Sequence, residues 1–198
     1  MIGIVDYGTS NIGSLTNALG RLGIEYSVSG DPDELGRTSR LILPGVGAFA
    51  HAMTRLHEQS LESFLRDWAK DGGPIFGICL GMQLLMESSE EHGQHQGLGI
   101  VGGKVVALQG GHRKVHMGWN KVSAAGTSSM IGPDNYAYFV HSYVCQPTHT
   151  ETVAGISDYG GPIAAALQQD SVWGVQFHPE KSGEFGLSIL EKFADASF

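Results

Sequence analysis

Two hydrophobic rhythms take turns along the first half of the chain. Ile2 to Val5 is an unbroken apolar run, as a strand buried on both faces requires. Gly8-Thr9-Ser10-Asn11 then reads as a turn that ends at a helix cap. Ile12, Leu15, Leu19 and Leu22 recur at helical spacing, and Gly23 is the residue expected just past a helix end. Tyr26 to Val28 alternates as a second strand, Asp31-Pro32 opens a turn or short helix, and Leu41 to Leu43 is a third buried strand. Ala48 to Lys70 is mostly helical, with a break near Ser60 and apolar faces made by Ala52, Leu56, Leu61, Phe64, Leu65 and Trp68. After Asp71-Gly72-Gly73-Pro74 comes another apolar run, Ile75 to Ile78, and then apolar residues at helical spacing up to Met86. Strand and helix alternating in this way predict an α/β fold, with a mostly parallel central sheet flanked by helices.

The second half changes character. Gly103 to Leu108, Lys114 to Val122, Tyr136 to Cys145, Val153 to Ser157 and Ile163 to Leu167 read as strands with no helices between them. They predict an additional antiparallel strand region in the C-terminal half. A last helix, Gly186 to Ala194, carries Leu187, Leu190 and Phe193 on one face. At 198 residues the chain has the size of one large domain, 1–198, with a substantial core.

Charge and composition narrow the partners. A net charge of -8 argues against nucleic acid or an anionic membrane surface. No apolar run reaches transmembrane length, and the N-terminus lacks the basic region and cleavage site of a signal peptide. Two cysteines, Cys79 and Cys145, make no disulfide framework and suit a reducing cytoplasm. Cys145, in a strand, reads as buried filler. His92 and His95 have no further Cys or His at ligand spacing nearby, so no metal and no cofactor is expected.

Chemistry concentrates where the fourth strand meets its helix. Gly77-Ile78-Cys79-Leu80-Gly81 has the G-x-C-x-G form of a nucleophile elbow. A sharp strand-to-helix turn strains the nucleophile's backbone and lifts its side chain clear of the sheet. Residues two positions away then approach other backbone and lack a Cβ. The helix start aims N–H groups at the sulfur, and the Leu80 amide becomes an oxyanion donor. A core cysteine between two packing glycines is the plainer alternative.

Two further stretches bear on that choice. Gly45-x-Gly47-x-x-Ala50 follows a strand and precedes a helix, like a dinucleotide fingerprint, but no well-placed acidic residue follows. It reads better as a glycine loop at a strand's carboxyl end, with an amide of Gly45 or Val46 as second oxyanion donor, or as a plain tight turn. His178-Pro179-Glu180 near the C-terminus sets a histidine and a carboxylate two residues apart. On an extended segment these share a face, so Glu180 orients the imidazole of His178 toward the thiol. A surface turn is the other reading of that tripeptide alone. His141 reads as a hydrogen-bonded histidine rather than a catalytic one.

Taken together, Gly77-Ile78-Cys79-Leu80-Gly81-Met82-Gln83, Pro44-Gly45-Val46-Gly47 and Phe177-His178-Pro179-Glu180 resemble the class I glutamine amidotransferases, in the family's order and over most of the chain. Asp6-Tyr7-Gly8-x-x-Asn11, His116-Met117-Gly118-Trp119-Asn120, Val140-His141-Ser142-Tyr143 and His178-Pro179-Glu180-Lys181-Ser182 are most similar to the glutaminase subunits of imidazole glycerol phosphate synthases. Val115 departs from the proline that many relatives carry, a change expected to touch a loop and leave catalysis alone.

The resemblance implies glutamine as substrate, Cys79, His178 and Glu180 as catalytic triad, and Leu80, Val46 and Gly45 around the oxyanion. It implies Gly47, Gln83, Glu91, Ser142 and Tyr143 against the substrate. It also implies ammonia delivery to a cyclase subunit with a (β/α)8 barrel, through a face that includes Asn11, Trp119, Asn120 and Lys181. Core packing is the alternative for Trp119. A stand-alone cysteine hydrolase of γ-glutamyl or peptide substrates, the glutaminase subunit of another amidotransferase, and an inactive scaffold are the competing readings.

Overall fold

The computed structural model describes residues 1–8, 11–109, 114–128 and 130–198. Its first half runs β1 (Ile2–Val5), α1 (Ile12–Arg21), β2 (Tyr26–Ser29), α2 (Pro32–Leu35), β3 (Arg40–Leu43), α3 (Phe49–Glu58), α4 (Leu61–Lys70), β4 (Ile75–Ile78) and α5 (Leu80–Leu84). The second half runs β5 (Met86–Ser89), β6 (His95–Gln96), β7 (Val101–Ala107), β8 (His116–Ala124), β9 (Asn135–His141), β10 (Tyr143–Pro147), β11 (Val153–Asp158), β12 (Pro162–Gln169), β13 (Val172–Val175) and α6 (Gly183–Asp195).

One sheet has the order β2-β1-β3-β4-β13-β12-β11-β8-β9. It is parallel from β2 through β13 and antiparallel from there to β9. A smaller sheet, β10-β7-β5-β6, lies beside it.

The parallel strands are apolar on both sides because both sides are covered. Ile4, Ile42 and Phe76 pack with Leu15 and Leu19 of α1 and with Ile189, Leu190 and Phe193 of α6. Their sequence neighbours Val5, Leu41, Leu43 and Ile75 point the other way, into a second core with Phe49, Leu56 and Leu65 of α3 and α4. The period-2 alternation of a strand thus separates two cores.

Local signals set the helix ends. Past α1, Gly23 takes φ +67°, with Ile24 N–H on the Leu19 carbonyl and Gly23 N–H on that of Gly20. This is the Schellman arrangement. Ser60 breaks the long helical stretch with φ 58°. Asn11 occupies the N-cap position of α1, but its side chain makes no capping hydrogen bond. The predicted turn at Thr9-Ser10 lies outside the described residues.

Four expectations are corrected. The helix after the elbow ends at Leu84, and Met86 begins β5, paired with β7. All of residues 80–86 are buried, so their spacing selects no face and pairing with Val101 decides. The run Tyr136 to Cys145 is two strands, β9 in the large sheet and β10 in the small one. They part at Ser142, whose carbonyl accepts Leu108 N–H at 2.8 Å. The strand placed at Lys114 to Val122 begins at His116 and ends at Ala124. Finally, β13 ends at Val175, and Pro179–Lys181 forms a 3-10 turn rather than extended chain.

Candidate active site

Cys79 stands alone between β4 and α5 with φ 55° and ψ −110°. A non-glycine residue there stores roughly 1–3 kcal/mol of backbone strain, which the surrounding packing must hold. The elbow glycines supply the room. A Cβ on Gly81 would lie 1.7 Å from the Leu43 carbonyl oxygen, and one on Gly77 would lie 2.7 Å from the backbone of Gly81 and Met82. Cys79 N–H is tied to the Val175 carbonyl at 2.8 Å. Because α5 is five residues long, its dipole is small, and its help at the sulfur reduces to the unpaired N–H groups of a first turn, Leu80 first.

β13 lies next to β4 in parallel, so the chain leaving Val175 emerges at the same edge as Cys79. His178 and Glu180 sit there, their side chains 5% and 4% exposed, with His178 Nδ1 and Glu180 Oε1 2.9 Å apart. The carboxylate keeps the proton on Nδ1 and leaves Nε2 for the thiol. Nε2 is buried and makes no hydrogen bond of standard geometry among the described residues, yet it is near enough to Cys79 for that group to raise the pKa of the ring. Burial works against charge on His178, but the Cys79 and Glu180 interactions outweigh it, and its pKa is raised to about 9. The backbone around it is locked. His178 N–H donates to the Tyr138 carbonyl at 3.0 Å, Ser182 Oγ donates to the His178 carbonyl at 2.7 Å, and Tyr138 N–H donates to Ser182 Oγ at 3.0 Å.

A cleft of about 310 Å³ opens on this pair. Gly47, Gln83, Glu91, Ser142 and Tyr143 line it, with Val46, Leu80, Val140 and His141. Gly45 is pressed against the elbow: a Cβ there would meet Tyr7 Oη at 2.5 Å and Leu80 Cβ at 3.0 Å. The Pro44–Ala48 segment is a loop between β3 and α3, as the glycine-loop reading requires. Glu91 has a second role, since its Oε2 accepts Phe49 N–H at 2.6 Å at the start of α3. Val115 also lines the cleft, nearer the reactive groups than a loop remote from catalysis would be. A larger cavity, about 960 Å³, lies between Gly72, Trp173 and Phe198 at the amino ends of β4 and β13. Open α/β sheets bind ligands at the other, carboxyl ends, where Cys79, His178 and Glu180 lie.

The four residues expected at a partner face fall in two places. Asn11 lies beside Pro44, Gly45, His178 and Glu180, and Lys181 is exposed in the turn that follows Glu180. Trp119 is 58% exposed on β8, which overturns core packing for it, and Met117 on the same face is 65% exposed. Asn120, next on β8, has its amide committed to the Asp158 carbonyl and to His116 Nε2.

The glutamine amidotransferase class-I family model matches residues 3–196. The chain belongs to the class-I glutamine amidotransferases. The imidazole glycerol phosphate synthase subunit HisH of Desulfitobacterium hafniense (strain DSM 10664 / DCB-2) is 48% identical to this amidotransferase over 196 residues, 98% of this chain and 93% of the relative. The protein of the same name from Bacillus subtilis (strain 168) is 44% identical over 201 residues, 98% of this chain and 95% of its own. Among solved structures, one described as a glutamine amidotransferase superimposes with a TM-score of 0.78 at 21% identity, covering 98% of this chain and 99% of that one. PurLQS from Thermotoga maritima gives 0.76 at 21% identity, covering 97% and 96%. These two establish the shared fold.

Sequence reasoning missed one polar group at the heart of this amidotransferase. Gln176 is fully buried, and its Nε2 lies 3.9 Å from Cys79 Sγ. Its Oε1 accepts from Gln83 Nε2 at 3.0 Å, and Gln83 donates also to the Tyr143 carbonyl at 3.0 Å. The available signal was period 2: Gln176 precedes His178 by two residues. His141 is hydrogen-bonded as expected, its Nδ1 on the Tyr143 carbonyl and its Nε2 on His116 Nδ1, both at 2.9 Å. Burial lowers the pKa of His116 to about 4. Burial does the same to His141, also to about 4, helped by the charges of His116 and His178 against a partial offset from the Tyr143 carbonyl. Cys145 is buried filler, and burial, with the charge of Cys79, raises its thiol pKa.

Proposed function

We propose that this chain, 1–198 as one catalytic unit, is the glutaminase subunit of an imidazole glycerol phosphate synthase in histidine biosynthesis. Glutamine is its substrate. Its partner is a cyclase subunit with a (β/α)8 barrel that takes up the ammonia. No helix among the described residues is long and apolar enough to cross a membrane, and a free reactive thiol suits the reducing cytoplasm, where we place it.

The observation that carries the reading is the buried Cys79–His178–Glu180 cluster at the mouth of a cleft sized for one amino acid. Cys79 attacks the side-chain amide carbon of glutamine, and the carbonyl oxygen becomes an oxyanion. The amides of Leu80 and of the Gly45–Val46 loop stabilise it. His178, charged at neutral pH by its raised pKa, protonates the departing nitrogen, and ammonia leaves behind a thioester. The now neutral ring takes a proton from water, which attacks the thioester. The second oxyanion collapses, expelling the Cys79 sulfur and releasing glutamate, and His178, charged again by the proton from water, faces the freed sulfur as at the start. Gly47, Gln83, Glu91, Ser142 and Tyr143 shape the rest of the cleft around the amino-acid end of glutamine. Exposed Trp119, with Asn11, Asn120 and Lys181, forms the face toward the cyclase. An exposed tryptophan beside Met117 is the kind of anchor that interfaces use.

The test measures glutamate release from glutamine by the purified protein, alone and with the cyclase and its nucleotide ligand. Release that rises with the cyclase and vanishes in Cys79→Ala is expected. Full activity without a partner, with turnover of peptides or other γ-glutamyl compounds, overturns the reading in favour of a stand-alone hydrolase.

A further inference from the structure

One polar line crosses the molecule without a gap. It starts at Asn120 of β8, next to exposed Trp119 but on the opposite face of the strand, and ends at the sulfur of Cys79. Asn120 Nδ2 contacts His116 Nε2 at 3.1 Å, His116 Nδ1 contacts His141 Nε2 at 2.9 Å, and His141 Nδ1 contacts the Tyr143 carbonyl at 2.9 Å. The same carbonyl accepts from Gln83, whose amide also donates to Gln176, and Gln176 Nε2 faces Cys79 Sγ.

The proton positions along this line are forced. Asn120 Nδ2 touches the Asp158 carbonyl at 2.7 Å, so a flipped amide would set oxygen against oxygen there. The end on His116 is therefore a donor, and His116 Nε2 must be bare. The far end is a backbone carbonyl, which only accepts, so His141 Nδ1 must carry a proton. One arrangement satisfies the middle contact as well: both rings neutral, both protonated on Nδ1. Gln83 is fixed by the same logic, because its nitrogen meets two acceptors. His116 is also clamped between the rings of Phe139 and Tyr159, at 4.5 and 4.2 Å, which leaves it no freedom to turn.

We propose that His116 and His141 are positioning residues: a one-directional pair of imidazoles that anchors the Tyr143 carbonyl, which holds the Gln83 amide and through it aims the Gln176 amide at the Cys79 sulfur. The inference rests on the reading of Cys79 as the nucleophile. Strand β8, whose other face exposes Trp119, is thus joined to the reacting atom by hydrogen bonds that run in one direction from Asn120 to the Tyr143 carbonyl, where His141 and Gln83 both donate.

The first test is ¹⁵N NMR of histidine-labelled protein at neutral pH. Both rings should show the neutral tautomer with the proton on Nδ1. A proton on Nε2, or an imidazolium, in either ring overturns the proposal, and this arm needs no variant to fold. The second compares His116→Phe, which keeps the stacking and loses the hydrogen bonds, with His116→Asn, which keeps a donor toward His141. Folding of each is checked by thermal melting. His116→Phe should lower kcat for glutamine and the rate of Cys79 alkylation about tenfold, with KM little changed, and His116→Asn should recover most of both. A folded His116→Phe with wild-type kcat and alkylation, or equal losses in both variants, overturns it. Wild-type protein that releases no glutamate even with the cyclase sinks the glutaminase reading instead, and the alkylation and NMR arms still judge the pair.

Discussion

Gly81 is where the elbow is most easily broken. In Gly81→Ala the new methyl would sit 1.7 Å from the Leu43 oxygen and 2.8 Å from its carbonyl carbon. Cβ atoms do not approach other atoms closer than about 3.0 Å, so the turn and strand β3 must part by more than an ångström. Neither side yields easily. Leu43 is fully buried in the second core and its strand is paired on both sides, with β1 and β4. Overpacking of this kind costs about 1–3 kcal/mol, and for a chain of this length each kcal/mol lowers Tm by roughly 2–4 °C. The larger effect falls on the chemistry. Cys79 is two residues from the displaced point, and an error near 1 Å in a reacting group costs about 10²-fold in rate. Thermal melting and glutamate release with the cyclase should therefore show a Tm loss of several degrees and a rate loss of about two orders of magnitude. Gly13→Ala is the control. Its methyl meets nothing within 4 Å inside α1, so it should raise stability by about 0.5–1 kcal/mol and leave the rate alone. A Gly81→Ala protein with wild-type rate and Tm would refute the claim that this glycine holds the nucleophile's turn.

Three other outcomes follow from the geometry. Glu180→Gln removes a charge that raises the His178 pKa, so the alkaline limb of the pH–rate profile should move down from about 9 and the rate should fall at least tenfold; an unmoved limb argues against Glu180 as the orienting carboxylate. His141 has a folded pKa near 4, below its unfolded value near 6.5. The stability this represents, on the order of 3 kcal/mol, is complete above pH 6.5 and is lost as pH falls toward 4; urea midpoints at pH 7 and 4.5 should differ by correspondingly less in His141→Gln, and an equal drop in both proteins removes the argument. Trp119→Ala should weaken association with the cyclase by about 2 kcal/mol, near thirtyfold in Kd by titration calorimetry, and an unchanged Kd takes β8 out of the contact face.

Much of this protein was legible one residue at a time. Buried parallel strands announced themselves as apolar runs, Gly23 and Ser60 marked helix boundaries, and the glycines around Cys79 marked a turn that excludes Cβ atoms. These are local constraints, set by backbone sterics and by the period of each element, so the order of residues carries them. The pairing of His178 with Glu180 was legible too, although the expected strand proved to be a 3-10 turn. His178 itself stays extended at the N-cap of that turn, and from there its ring reaches Glu180 in the first turn.

Where distant segments compete, the order of residues was silent. Met86 fits a helix by spacing, yet it pairs with Val101, and only the presence of β7 decides between them. Nothing in the run from Tyr136 to Cys145 tells that it changes sheets at Ser142, because both halves alternate equally well. Gln176, His116 and His141 are ordinary polar residues until folding buries them, and burial then forces each donor to find an acceptor from another element. Local sterics wrote the elbow into the chain, whereas the alignment of β4 with β13, which brings His178 to Cys79, is a property of the assembled sheet.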